Sequence, residues 1–228
     1  MKNIKISKNR KKIINDIPQK KEFSIKEAIA ILKKTSYAKF DESIDIAVNL
    51  NIDPKKSEQI IRSTLVLPNG NGVKKRILAI CNFGDEDKCI KNGADFAGSD
   101  DIIKKIEEGW TDFDVIVTIP SMMFKLGKLG KILGPKGLMP NPKTGGITQD
   151  IEKTLTEIKK GRIEIKNDEY GILHNCIGKK SFDADKLEEN FHSYIHSLNK
   201  IKPTSVKGEF IKKVSLSSTM GVGLVIKL

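Results

Sequence analysis

The chain has 228 residues, a formal net charge of +12 and a sequence pI of about 9.4. A chain of this length forms one large or two modest domains, and its positive charge indicates a polyanionic partner, either nucleic acid or an acidic membrane surface. Aromatic residues make up only 6% of the chain, which argues against stacking of many bases and favours recognition of RNA backbone and shape.

The three cysteines form no CxxC pair, and their odd number argues against a disulfide framework. They indicate a reducing compartment, and we expect neither a metal nor a cofactor. The basic N-terminus, residues 1–12, is followed by no apolar stretch, so it does not resemble a secretory signal. Because no run of eighteen apolar residues occurs, we expect no membrane-spanning segment and no membrane partner.

The N-terminal part of the chain predicts one helix and one half-buried strand. Ser24 is a typical N-cap residue, and apolar residues follow it at helical spacing: Ile25, Ala28, Ile29 and Leu32. Residues 43–53 alternate strictly, with one apolar face made of Ile44, Ile46, Val48, Leu50 and Ile52. Such alternation predicts a strand of an antiparallel sheet that buries one face.

The middle of the chain has a different pattern. Short apolar runs at 76–81, 94–98 and 114–120 are separated by helical patterns at about 86–93 and 101–109. A further helix is expected at about 149–160. Alternation of this kind predicts a parallel sheet with crossover helices.

A glycine-rich segment, residues 126–146, reads LGKLGKILGPKGLMPNPKTGG and lies in a stretch without acidic residues from Val115 to Gln149. Glycine and proline together indicate a loop with a defined shape, and its charge indicates a negative partner. It has neither Walker nor GxGxxG spacing, which argues against a bound nucleotide. A phosphate- or nucleotide-binding α/β enzyme remains the alternative interpretation. The lysines that form a basic loop here are Lys128, Lys131, Lys136 and Lys143.

The C-terminal part returns to antiparallel patterns. Residues 162–168 and 172–178 predict a hairpin with its turn at 169–171. A helix at about 183–199 is expected to bury Leu187, Phe191, Tyr194, Ile195 and Leu198. Two strands, near 210–218 and 222–227, flank the turn Ser218-Thr219-Met220-Gly221.

An antiparallel layer is thus interrupted by a parallel one, which predicts an α+β fold with an inserted α/β domain. We expect a discontinuous first domain at 1–67 and 160–228, and an insert at 68–159 with a hinge at its two crossings, 68–70 and 160–161. The two parts of the first domain carry net charges of +7 and +4, and the insert carries +1. The first domain is therefore the expected nucleic-acid-binding domain.

Five blocks resemble one known family, in the family's order: YAKFDES (37–43), FDVIVTIPSMM (113–123), LGPKGLMPNPKTG (133–145), GRIEIKND with GILHNCIGKKSF (161–182) and SLSSTMGVG (215–223). The chain resembles the bacterial-type L-one family of large-subunit ribosomal proteins. The resemblance implies a split antiparallel domain interrupted by a Rossmann-like three-layer insert. Gly146, Val222 and the pair Asn175-Cys176 depart from the family's usual residues, in ways that affect loop rigidity more than contact chemistry.

The resemblance also implies a function: a structural, non-enzymatic constituent of the large ribosomal subunit, monomeric within the ribosome, that binds large-subunit ribosomal RNA to form the mobile stalk. It implies assistance in releasing deacylated tRNA from the exit site and repression of translation by binding the protein's own operon mRNA. The location would be the ribosome, in a bacterial cytoplasm or in an organelle stroma or matrix. The implied RNA-binding residues are Lys39, Phe40, Ser43, Thr219, Met220 and Gly221, with Glu27, Asp168, His174 and Lys179 as further candidates.

Several of these residues have alternative interpretations. Phe40 could pack in the core, and the turn 218–221 could be an ordinary hairpin turn. Asp168 would repel phosphate, so a contact there would go to a 2′-hydroxyl or a base donor. His192 and His196 stand four apart on a helix, as zinc ligands can, but no further ligand accompanies them, and we expect a solvated pair. The sequence contains no recognisable catalytic constellation.

Overall fold

A computed structural model describes residues 13–14, 17–18 and 20–227. The basic segment 1–12 lies outside the described residues. The chain divides into two compact units. The first contains the described residues up to 61, together with 67–72 and 165–227, and the second contains 62–66 and 73–164. This division differs from the sequence-based boundaries in the short segments 62–66, 68–72 and 160–164.

The first unit is built on a four-stranded antiparallel sheet. The strands, in their order across the sheet, are β7 (Ile172–Lys179), β1 (Ser43–Leu50), β8 (Ile211–Ser218) and β9 (Leu224–Ile226). Two helices, α1 (Ile25–Thr35) and α7 (Ala184–Lys200), pack on one face of this sheet. The expected α+β architecture of this part is confirmed.

Local sequence explains α1 and β1. The Ser24 hydroxyl accepts the N–H of Glu27, whose carboxylate accepts the N–H of Ser24, so a capping box fixes the start of α1. Strand β1 buries every second residue toward the helices, beginning with Ile44. It ends at Leu50, earlier than predicted, and Ile52 is only half-buried beyond it.

Helix α7 packs differently from its prediction at two positions. Leu187, Phe191, Tyr194 and Leu198 are buried as expected, but Ile195 is half-buried, and Asn190 is buried instead. The Asn190 side chain donates to the carbonyls of Gly70 and Ile177, each at 2.8 Å, and accepts the N–H of Asn69 at 3.1 Å. A buried amide is tolerated because its hydrogen bonds are made.

The predicted hairpin at 162–178 is wrong as a strand pair. Strand β6 (Arg162–Lys166) pairs with β2 (Arg62–Val66) in a separate two-stranded sheet, whereas β7 joins the four-stranded sheet. The two segments share one antiparallel bridge, between Asn167 and Leu173. The turn itself is present, because the N–H of Gly171 donates to the carbonyl of Asp168 at 3.2 Å. Pairing partners of this kind depend on long-range contacts that local patterns do not encode.

The second unit contains the predicted parallel sheet, in the order β4 (Phe96–Gly98), β3 (Ile77–Ile80) and β5 (Val115–Thr118). The central strand β3 is wholly buried because its residues alternate between two apolar cores. Helix α3 (Asp100–Glu107) packs on one face, and helices α2 (Glu86–Lys91) and α6 (Ile151–Lys159) on the other. The Rossmann-like three-layer insert is confirmed.

The glycine-rich segment is more ordered than a shaped loop. Helix α4 (Met123–Gly127) runs into it, helix α5 (Gly130–Leu133) lies within it, and a 3₁₀ turn follows at Pro142–Thr144. Its leucines Leu126, Leu129 and Leu133 are buried in the core on the α3 side of the sheet. Of the helices in the described part of the chain, none has the length and apolar content that crossing a bilayer would require.

Candidate nucleic-acid interface

Three distant segments of the first unit meet where β1 begins. The N–H of Ser43 donates to the Thr219 hydroxyl at 3.0 Å, and the N–H of Thr219 donates to the Ser43 carbonyl at 3.1 Å. On the other side, the Lys179 ammonium donates to the Ser43 hydroxyl at 2.8 Å. The structure therefore brings Ser43, Thr219 and Lys179 together, although they are 136 and 176 residues apart in sequence.

A buried carboxylate holds this junction together. Glu42 has no exposed surface and accepts the N–H of Ala38 at 2.9 Å and the N–H of Met220 at 3.2 Å. Burial alone would raise the pKa of this carboxyl. The polar groups around it, which are the N–H groups of Ala38 and Met220 and the nearby hydroxyls of Ser36 and Ser218, outweigh burial and lower the pKa to about 2. Glu42 thus carries its charge at neutral pH and links the loop 36–42 to the turn 219–221.

Two buried serines accompany Glu42 at this junction. The hydroxyls of Ser36 and Ser218 lie in the interior and make no hydrogen bond among the described residues. Both are near enough to the Glu42 carboxylate to favour its charged form and so lower its pKa. The Lys180 ammonium, at 2.8 Å from the Ser36 carbonyl, closes the same loop from outside.

Three predicted site residues present their side chains to solvent at this junction. Phe40 is 55% exposed and Met220 is 50% exposed. Lys39, which precedes Phe40 in the sequence, is exposed as well. Core packing of Phe40, the alternative interpretation, is therefore wrong. Exposed apolar side chains beside a free lysine offer both stacking and phosphate contacts. We name Lys39, Phe40 and Met220, together with the neighbouring Ser43, Lys179, Thr219 and Gly221, the loop-end surface.

Thr219 and Gly221 also have structural roles that the sequence did not indicate. The Thr219 hydroxyl accepts the N–H of Ser43, so it is already engaged within the protein. Gly221 does not have a positive φ, but a Cβ there would lie 2.4 Å from the Ser218 Oγ. A side chain at this position would therefore displace the Ser218 hydroxyl, whereas the backbone conformation does not itself demand glycine.

Asp168 and His174 lie together, but away from the loop-end surface. The His174 Nε2 is 3.4 Å from the Asp168 carboxylate, which also accepts the N–H groups of Ile172 and Tyr170. These backbone bonds, the one from Ile172 first, and the neighbouring imidazole lower the pKa of Asp168. His174 is five residues from Lys179 along β7, or about 17 Å at strand spacing.

The outer face of the four-stranded sheet connects these two places. Opposite the buried residues of β1, this face carries small or polar, half-exposed side chains: Ser43, Asp45, Ala47, Asn49, Ser215 and Ser217. Asp45 pairs with Cys176 across the strands, and burial raises the pKa of both the Asp45 carboxyl and the Cys176 thiol. We call this the open sheet face. Because the side chains of the open sheet face are short, a broad, shallow surface of a binding partner can approach the backbone of the sheet closely.

Glu27 is not part of either place. Its carboxylate caps α1 and lies 3.5 Å from the Lys20 ammonium, and the hydrogen bond from the Ser24 N–H is the first cause that lowers its pKa. It stands nine residues, or about 14 Å of helix, before the loop that starts at Ser36. The structure gives Glu27 a capping role and does not bring it to the loop-end surface.

The second unit contains a small polar cavity beside the glycine-rich segment, lined by Lys75, Asp114, Gly145, Arg162 and Glu164 among others. Burial lowers the pKa of Lys75, while Glu164 and Asp114 act in the opposite direction. The Arg162 guanidinium is bonded to Glu157 at 3.2 Å and to Thr64 at 3.0 Å. Because the cations are matched by carboxylates, this cavity is poorly suited to a phosphate group.

The remaining candidates, which are the lysines of the basic loop and the two histidines considered as zinc ligands, are exposed to solvent. Lys128, Lys131, Lys136 and Lys143 are exposed, and Lys136 donates to the Thr111 hydroxyl at 2.6 Å. His192 and His196 are exposed on α7, with His192 3.8 Å from Glu188. Among the described residues, no three His, Cys, Asp or Glu side chains are grouped so as to hold a metal ion.

The residue of this junction that sequence reasoning missed is Glu42. In the sequence, Glu42 is marked only by its position between Asp41 and the first residue of β1. In the structure, Asp41 accepts hydrogen bonds from the N–H and the hydroxyl of Ser181. An acidic residue in a basic chain is readily taken for a solvated one. Its burial follows from the turn at 219–221, which covers it from the far end of the sequence.

Comparison with known proteins gives a consistent result over nearly the whole chain. A family model described as "Ribosomal protein L1p/L10e family" matches residues 32–222. A protein of Flavobacterium psychrophilum named "Large ribosomal subunit protein uL1" is 50% identical over 222 residues, covering 97% of each chain. Proteins of the same name from Amoebophilus asiaticus and Bacteroides fragilis are 48% and 46% identical, and the matches cover 96% and 97% of this chain and 95% and 96% of theirs.

Proposed function

The chain belongs to the ribosomal protein L1p/L10e family, whose members are structural ribosomal proteins and not enzymes, and from this premise we propose that it binds large-subunit ribosomal RNA through its first unit. Membership of this family argues against the alternative of a nucleotide-binding enzyme. So does the cavity beside the glycine-rich segment, because its cations are matched by carboxylates. The observation that carries the proposal is the junction at Glu42, which fixes the exposed Lys39, Phe40 and Met220 on one rigid surface.

Chemistry at the loop-end surface suits RNA. Lys39 supplies a free cation for a phosphate, and the exposed Phe40 and Met220 can cover a ribose or a base. The acidic Asp45 and Asp168 disfavour phosphate, so the open sheet face would meet 2′-hydroxyls and base donors. The wide, shallow minor groove of an RNA helix presents those groups. An RNA that touched both the loop-end surface and the pair Asp168 and His174 would extend over about 17 Å of the sheet.

Charge supports a division of labour between the parts of the chain. Residues 1–67 and 160–228, the proposed discontinuous RNA-binding domain, carry net charges of +7 and +4, whereas the insert 68–159 carries +1. We propose that the first domain anchors the protein on the RNA of the mobile stalk, as a monomer within the ribosome. The insert with its basic loop would then serve the transient contact with deacylated tRNA at the exit site.

Regulation is the remaining part of the proposal. Repression of the protein's own operon mRNA requires only that this mRNA present the same shape as the ribosomal site. The loop-end surface would serve both RNAs, because it reads backbone and shape rather than a long base sequence. Competition between the two RNAs for one protein molecule is the expected behaviour.

The test is binding of a stalk ribosomal RNA fragment to full-length variants. Phe40→Ala should weaken binding about tenfold, since the stacking of an aromatic ring on an RNA base is worth about 1–3 kcal/mol. Met220→Ala should weaken binding by less, because a methionine side chain covers a ribose or a base without aromatic stacking. Phe83→Ala is the matched control, because Phe83 is 91% exposed but belongs to the second unit. If all three variants bind as tightly as the parent, the loop-end surface is not the RNA site.

A further inference from the structure

Helix α4 presents an exposed aromatic ring on a rigid support. Phe124 is 84% exposed, more than any other large apolar side chain of the described residues except Phe83. The segment that carries it is anchored from the opposite side by Met122, Leu126 and Leu129, all buried in the core. Exposure of an apolar ring to water costs free energy. Because its neighbours are buried in the core, the helix holds this ring on the outside.

Positive charge surrounds this ring. Lys128 follows Phe124 by four residues with helical backbone angles (φ −64°, ψ −29°), so the two side chains share one face. Lys128 and Lys131 are exposed and have no carboxylate partner in the described part of the chain, whereas Lys125 is paired with Asp100 at 2.5 Å. No acidic residue occurs between Val115 and Gln149.

Phe83 provides an internal contrast. It is 91% exposed and belongs to the same unit, but it is followed by Asp85, Glu86 and Asp87 at the start of α2. Both rings offer the same stacking surface. Only Phe124 offers it beside unpaired cations, so only Phe124 suits a polyanion.

We propose that Phe124 and Lys128 form a second RNA contact, in which an unpaired base stacks on the ring and the ammonium group meets the adjoining phosphate. Aromatic rings stack on any base, and a cation at one helical turn is within reach of the neighbouring backbone. The contact rests on the proposed function only in that its ligand is RNA. The unpaired base belongs either to the stalk RNA itself or to a tRNA, and the chemistry is the same for both.

The experiment uses the full chain with three RNA probes. Fluorescence anisotropy measures binding of a labelled stalk ribosomal RNA fragment to the free protein. Binding of deacylated tRNA, and of a twelve-nucleotide single-stranded oligo(A), is then measured on protein saturated with unlabelled stalk fragment. The variants are Phe124→Ala, Phe124→Trp and Lys128→Ala, with Phe83→Ala as the control. Urea unfolding of each variant confirms that it is folded.

We expect Phe124→Ala to weaken oligo(A) binding about tenfold, Lys128→Ala to weaken it and reduce its salt dependence, and Phe83→Ala to change neither. Phe124→Trp should retain affinity, and its added emission should be quenched by the stacked base. A tenfold loss with tRNA assigns the base to tRNA. A loss with the stalk fragment, together with failure of oligo(A) to bind the saturated parent protein, assigns the base to the stalk, which then already covers the ring. The inference is overturned if Phe124→Ala changes no affinity, or if Phe83→Ala lowers affinity equally.

Failure of the proposed function would give a different result. In that case the parent protein would not bind the stalk fragment, and the oligo(A) measurement would be made on the free chain. Loss of oligo(A) binding in Phe124→Ala would still support the contact there.

Discussion

Replacing Glu42 by Gln removes the buried charge that links the loop 36–42 to the turn 219–221 while keeping the size of the side chain. Glu42 accepts two backbone N–H groups, from Ala38 and Met220, and lies completely buried. A carboxamide has one acceptor oxygen, so its NH₂ group would face one of these donors. A buried donor left without a partner costs about 1–3 kcal/mol.

The lowered pKa of Glu42 gives a second magnitude for the same contacts. The pKa of Glu42 falls from an ordinary value of 4.5 to about 2 in the folded protein, a difference worth about 3 kcal/mol. Because the folded-state pKa is the lower one, this stabilisation is fully present above pH 4.5 or so. It is lost progressively as the pH falls from about 4.5 toward 2. Gln does not titrate, so Glu42→Gln should lack this part of the pH dependence.

Urea unfolding at pH 7, 4 and 3 measures the effect. At pH 7, Glu42→Gln should lower the free energy of unfolding by about 3 kcal/mol, and the difference from the parent should shrink by more than half at pH 3. Glu209→Gln, at an exposed carboxylate, is the control and should be nearly neutral. Equal urea midpoints for the two variants at pH 7, or a difference that does not depend on pH, would refute the assignment of Glu42 as the buried charged link.

Three further predictions concern the same surface and its surroundings. Gly221→Ala should destabilise the protein by about 1–2 kcal/mol in urea unfolding, because its Cβ would lie 2.4 Å from the Ser218 Oγ, whereas Gly223→Ala, with open space around it, should not; equal effects would contradict the close approach. Thr219→Val should leave the Ser43 N–H without its acceptor, lower the free energy of unfolding by about 1 kcal/mol and weaken stalk RNA binding. Thr219→Ser should retain the parent's stability and RNA affinity, and Thr204→Val, at an exposed threonine, should change neither the stability nor the RNA affinity. The double variant Lys136→Ala and Lys143→Ala should bind stalk RNA within a few-fold of the parent, and RNA affinity should fall between about 50 and 200 mM salt; loss of stalk binding in that variant would move the primary site to the second unit.

Much of the fold could be predicted from the sequence because its signals are local. The capping box at Ser24, the alternation in β1 and the three apolar runs of the parallel sheet each depend on residues within a few positions of one another. Site residues of the glycine-rich segment and of the turn 219–221 were indicated by composition and by resemblance. None of these signals requires knowledge of a distant partner.

Only the tertiary structure decided what those residues do. Burial of Glu42 arises from a turn more than 170 residues away, and the same contact engages the Thr219 hydroxyl within the protein. The pairing of β6 with β2 rather than with β7, and the burial of Asn190 in place of Ile195, likewise follow from contacts between remote segments. A charge or an amide is stable in the interior only when donors and acceptors from elsewhere surround it, and no local pattern records where they come from.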